Sequence, residues 1–89
     1  MAVWVDPLKD WGWRLGPSCH MTADTKEELI AFAVRIGLQA RWFQDDDRLW
    51  HFDLTARRRD RAVAAGAIEC DYPEFFERIN NRSQDPLDL

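Results

Sequence analysis

Cysteine occurs only twice, at Cys19 and Cys70, which is too few for a disulfide framework. Both thiols are expected to be free, as in a reducing cytoplasm. No apolar run approaches the ~20 residues a bilayer span requires, so no membrane partner is expected. The apolar start Ala2-Val3-Trp4-Val5 is cut short by Asp6, which argues against a secretory signal and for a cytoplasmic location. Positive charge is not in excess. A formal charge of −4 argues against nucleic acid held on a generally basic surface. There is no Gly-rich phosphate loop, no Gly-x-Ser-x-Gly elbow and no His-Glu-x-x-His pair. Internal repeats and low-complexity segments are absent too.

What is present suits one small folded domain. The chain has 89 residues with 46% hydrophobic content, enough for a globular core. Five Trp and five Phe compensate for the small size, because each large ring buries roughly 150–250 Å². The basic residues are ten Arg and two Lys. Arginine suits bidentate recognition of phosphate or carboxylate, although codon bias explains such a ratio equally well.

Hydrophobic periodicity predicts the elements. Residues 2–6 read as a strand with Val3 and Val5 on one side and Trp4 and Asp6 on the other. Residues 7–20 read as a long loop carrying Trp11 and Trp13. A helix follows, capped by Asp24 or Thr25, with its apolar stripe at Leu29, Ile30, Phe32, Ala33 and Ile36 and with Gly37 closing it. Strands are predicted at 40–43 and 50–54, separated by the acidic turn Asp45-Asp46-Asp47. Thr55 caps a second helix through Ala65, closed by Gly66. A strand at 67–70 and a short helix bearing Tyr72, Phe75, Phe76 and Ile79 complete the domain over residues 1–79. Residues 80–89 read as a polar, frayed tail. The order βαββαβ predicts an α+β, ferredoxin-like sandwich with an extra C-terminal helix. In that arrangement two helices cover one sheet face and leave the other bare.

Val5-Asp6, Cys19-His20-Met21, Ala23-Asp24, Glu28-Leu29, Phe32-Ala33, Gly37, Arg41-Trp42-Phe43, His51-Phe52-Asp53-Leu54 and Gly66-Ala67 follow one another along the chain. In this order and spacing they resemble the domain of unknown function 4031 family. The family usually has a small residue at Cys19 and Tyr at Phe52. The resemblance implies a bacterial or phage protein with no established activity. In some longer relatives such a domain precedes a phosphohydrolase of the HD type, an association that implies nucleotide or phosphate chemistry.

Strand alternation yields a candidate site. Asp6, His51 and Asp53 should share the bare face, with His20 folding over it and Trp11 and Trp13 shielding it. Two histidines with two carboxylates can perform acid/base work, hold a divalent metal, or tie the loop to the sheet as a purely structural network. A Cys19-His20-His51-Cys70 zinc tetrad has the right atoms but matches no compact zinc spacing, and no metal ligand set is assigned. Thr55, Arg57, Arg58 and Arg59 sit at a helix start, where free N–H groups favour an anion. The plainer reading is a solvated helix face. Together these residues point to a phosphorylated or nucleotide-like small molecule as ligand. A hydrolase using His51 and Asp53 is the second reading, and an interaction module or homodimer the third. The sequence names no cofactor.

Overall fold

Strands with period-two patterns form the sheet, and the computed structural model describes residues 2–82 of the chain. The elements run β1 (Val3–Val5), β2 (Ser18–Ala23), α1 (Lys26–Arg35), β3 (Phe52–Thr55), α2 (Ala56–Ala64), β4 (Ile68–Glu69) and α3 (Tyr72–Asn81). The four strands lie in the order β3-β2-β1-β4. β2 is antiparallel to both neighbours and β4 is parallel to β1, so the sheet is mixed.

One face holds the main core. Val3, Val5, Cys19, Met21, Phe52 and Leu54 point at Leu29, Phe32 and Ala33 of α1 and at Ala62 of α2. Local chemistry fixes both helix starts. The Thr25 hydroxyl accepts from the Glu28 N–H at 3.1 Å, and the Thr55 hydroxyl accepts from the Arg58 N–H at 3.4 Å. Gly37, at φ +98°, ends α1 beside Arg61, whose guanidinium bonds the Ile36 carbonyl at 3.0 Å.

The α+β class, the four-stranded sheet and the three helices follow the sequence reading, but the βαββαβ order does not form. The last residues of the segment predicted as a loop, 18–20, and the unassigned residues 21–23 form β2, which inserts between β1 and β3. The segment predicted as a strand at 40–43 is instead a 3-10 turn, Ala40–Trp42, on the surface. β1 and β3 are therefore not neighbours.

The second face is not bare. Trp4 and Cys70 are buried beneath Phe75 and Ile79 of α3, and Trp4 meets Phe75 edge-to-face at 6.5 Å. Asp71 caps this helix by accepting from the Glu74 N–H at 2.9 Å. Of the aromatic stripe, Phe75 and Ile79 are core, whereas Tyr72 and Phe76 are exposed. α3 continues past the expected boundary at residue 79, and Arg82 is buried. The remainder of the expected tail, 83–89, lies outside the described residues.

Arg82 pins this end of the chain. Its guanidinium donates to the Thr22 hydroxyl at 3.0 Å, the Ala23 carbonyl at 2.9 Å and the Arg48 carbonyl at 2.7 Å. It also lies 3.7 Å from the Trp50 ring centroid. Burial pulls its pKa down to about 10, so it stays charged at neutral pH. Bonds to charged donors contribute about 1.5–3 kcal/mol each. Arg82→Ala should therefore cost about 3 kcal/mol in urea unfolding. A loss below ~1 kcal/mol would show that this contact is idle.

Candidate functional site

The register of β2 and β3 places His20 opposite Asp53, and His51 lies two residues before Asp53 on the same face. Asp6 follows β1 and is 1% exposed. Its carboxylate accepts from the His20 backbone N–H at 2.6 Å and from the His20 Nδ1–H at 2.7 Å. Both acidic oxygens are thus spent on one histidine. The Asp6 N–H in turn donates to the His20 carbonyl at 3.2 Å, and Arg59 Nε donates to the Asp6 carbonyl at 3.0 Å.

His51 is fixed differently. It sits where a short hairpin closes, pairing with Gln44 through two backbone bonds of 2.9 Å. Its Nδ1 lies 2.8 Å from the Leu49 carbonyl. A carbonyl only accepts, so Nδ1 carries the hydrogen. Its Nε2 then faces Asp53 Oδ1 at 3.2 Å, and Gln44 Nε2 donates to the other Asp53 oxygen. The two imidazole rings meet edge-to-face at 5.0 Å between centroids.

These groups line an open pocket of about 370 Å³, bounded by Trp11, Trp13, Ser18, His20, Gln44, Asp46, His51 and Asp53. That volume lies within the range of small-molecule sites. The Trp-bearing loop is anchored at its base by paired backbone bonds between Lys9 and Ser18 at 2.9 and 3.0 Å. Inside it the Asp10 carboxylate accepts from the Gly12 N–H at 2.8 Å, and the Trp13 carbonyl accepts from the Gly16 N–H at 3.0 Å. Gly12 and Gly16 take φ +81° and +90°, which a residue with a side chain adopts only under strain. Trp11 meets His20 edge-to-face at 6.3 Å.

The four residues Asp6, His20, His51 and Asp53 thus converge, although β2 brings them together rather than direct pairing of β1 with β3. Trp11 and Trp13 line the pocket. The Thr55 hydroxyl caps α2, and Arg57, Arg58 and Arg59 do not line the pocket. Arg59 binds the Asp6 carbonyl and Glu69 at 3.0 Å, Arg58 lies over Trp42 at 4.9 Å, and Arg57 is exposed. Ser18, Gln44 and Asp46 were not singled out from sequence. Only Ser18 carried a signal there, two residues before His20 on one strand face.

The thiols take no part. Cys19 points into the main core, and burial together with the nearby Asp6 charge pushes its pKa up to about 12. Cys70 lies under α3 and is also raised by burial. Cys19 thus faces away from the two imidazoles, which breaks up the four-residue zinc tetrad. His20, His51 and Asp53 remain as a set whose donor atoms lie within 4.8 Å of one another, with types suited to a divalent metal.

Burial alone would lower the His51 pKa, but the bonds to Asp53 and the Leu49 carbonyl outweigh it and raise the value above 6.5. Burial would raise Asp53, yet the bonds from His51 and Gln44 hold it below 3.8. The sign for stability follows. The His51 contribution is complete below pH 6.5 and is lost as pH rises through its raised value. The Asp53 contribution is complete above pH 3.8 and is lost as pH falls through its lowered value. In chelator-treated protein, proton NMR of the two histidines should show His51 titrating above 6.5. In Asp53→Asn that titration should move down, and the fall of stability from pH 6.5 upward should flatten. An unchanged His51 titration in the variant would overturn the assignment.

Comparison with known proteins agrees with the resemblance noted in the sequence. No curated protein and no solved structure matches the chain significantly. A family model described as "Protein of unknown function (DUF4031)" matches residues 3–82, which spans both faces of the sheet and every residue of the pocket. The chain therefore belongs to the DUF4031 family.

Proposed function

We propose that the protein binds a small, nucleotide-like ligand in the pocket between the Trp11–Trp13 loop and the His20-His51-Asp53 floor. The carrying observation is the pairing of two exposed indoles with a polar, hydrogen-bonding base. A flat ring stacks on an indole at a gain of about 1–3 kcal/mol. Gln44, Asp53 and the two imidazoles supply donors and acceptors that orient it. The arginines at the start of α2 take no part, so any phosphate meets the imidazoles rather than a guanidinium. The reading includes a cytoplasmic setting, supported by two free, buried thiols. Among the described residues no helix is long and apolar enough to cross a membrane.

Titration with nucleotides and sugar phosphates should quench Trp fluorescence and raise Tm for at least one compound class. Trp11→Ala or Trp13→Ala should weaken that response at least tenfold. A flat response across the panel, measured with and without divalent metal, would refute the reading.

A second reading, hydrolysis of such a ligand, is favoured by two imidazole–carboxylate pairs opening onto one pocket. His51 would move the proton shared between its Nε2 and Asp53 Oδ1, which lie 3.2 Å apart. Positioned acid/base groups contribute typically 10²–10⁴-fold. Turnover of nucleoside phosphates should then drop by about that factor in His51→Ala while the fold is retained. Turnover that survives the substitution would remove His51 from the chemistry.

A further inference from the structure

We propose that His20 Nε2, His51 Nε2 and Asp53 Oδ1 form a binding site for one divalent transition-metal ion of the zinc or manganese type. The inference deepens the pocket reading and uses the same floor.

Both histidines are locked in the tautomer a metal needs. The Asp6 carboxylate accepts the His20 Nδ1–H at 2.7 Å, and the Leu49 carbonyl accepts the His51 Nδ1–H at 2.8 Å. Each ring therefore presents Nε2. An imidazole whose far N–H is held by a carboxylate or a carbonyl is the usual outer support of a metal-bound histidine. Asp53 has the corresponding support, because Gln44 donates to one of its oxygens and leaves the other toward His51.

The spacing suits one ion. His51 Nε2 and Asp53 Oδ1 are 3.2 Å apart. Two ligands at about 2.0–2.2 Å from one ion, at tetrahedral or octahedral angles, lie about 3–3.5 Å apart. Each of the three residues offers a ligand atom, and these atoms lie within 4.8 Å of one another. Two imidazoles and one carboxylate favour zinc, manganese or iron over magnesium or calcium, and they leave positions open toward the pocket.

Electrostatics point the same way. Asp46 and Asp53 line the pocket, Asp6 lies behind His20, and no Lys or Arg lines it. A bound divalent ion also gives an anionic ligand a reason to enter a pocket that otherwise carries negative charge.

The test is equilibrium binding of Co²⁺ and Zn²⁺ to the chelator-treated, then dialysed, full chain. Expected are one ion per chain, a dissociation constant of micromolar or tighter, and a higher Tm. His20→Gln and Asp53→Asn should each weaken binding at least a hundredfold. Asp6→Asn, which changes the support of His20 and none of the three proposed ligands, should weaken it about tenfold. On the wild-type chain, Co²⁺ should shift the ring protons of both histidines strongly, a readout independent of how any variant folds. Binding weaker than millimolar, binding that His20→Gln or Asp53→Asn leaves within threefold of wild type, or Co²⁺ shifts that miss either histidine would overturn the site. These measurements contain no organic ligand. Metal binding without a nucleotide response sinks the ligand reading alone, and a nucleotide response in metal-free protein without metal binding sinks the metal site alone.

Discussion

A carboxylate 1% exposed must be fully satisfied or it destabilises the fold by several kcal/mol. Asp6 meets that demand with one partner, since the backbone and the ring of His20 occupy its two oxygens. The bond ties the exit of β1 to the middle of β2 and sets the plane of the His20 ring. From there the ring reaches His51 on β3 and Trp11 in the loop. Arg59 holds Asp6 from behind through its carbonyl, so even the helix on the opposite sheet face supports this contact. Remove the carboxylate, and both the orientation of one imidazole and the seat of the loop lose their reason.

Much of this was legible from residue types and spacing. Thr25, Thr55 and Asp71 are strong caps, and the glycines at 37 and 66 close α1 and α2, so the helices could be read locally. Alternation in β1 and before β3 put Asp6, His51 and Asp53 on one side. β2 escaped notice for a physical reason. Cys19, Met21 and Ala23 do alternate with Ser18, His20 and Thr22, but Thr22 alone among them is a strong strand former and Pro17 precedes them. Ala40-Arg41-Trp42-Phe43 misled in the opposite direction. Its aromatics suit a strand, yet only Phe43 reaches the core, where it packs on Trp50 and Phe52. The hairpin it was expected to form with β3 is reduced to the single bridge between Gln44 and His51. Where α3 docks was not readable from the helix itself; the clue was Trp4, a large apolar ring on an otherwise polar sheet face.

The arginine-rich start of α2 belongs to the side of the main core, and its side chains are used on the Asp6 carbonyl, Glu69 and Trp42. Asp46 and Asp53 line the pocket on the other side, with the imidazoles. The adjacency in sequence of His51-Phe52-Asp53-Leu54-Thr55 and the arginines therefore hides a separation in space, because strand and helix meet at a cap and leave it on different sides. Arginine beside an acidic motif in sequence is weak evidence that they share a ligand.

The loop that carries Trp11 and Trp13 meets the sheet through a narrow backbone ladder at Lys9 and Ser18, and its turns are closed by its own atoms. Its two indoles at the tip stay about half exposed. Such an arrangement lets a lineage exchange the rings at the rim, and with them the shape of guest admitted, while the imidazole floor stays untouched. Diversification of the family would be expected to concentrate in those few tip positions, with the buried acid beneath them changing last.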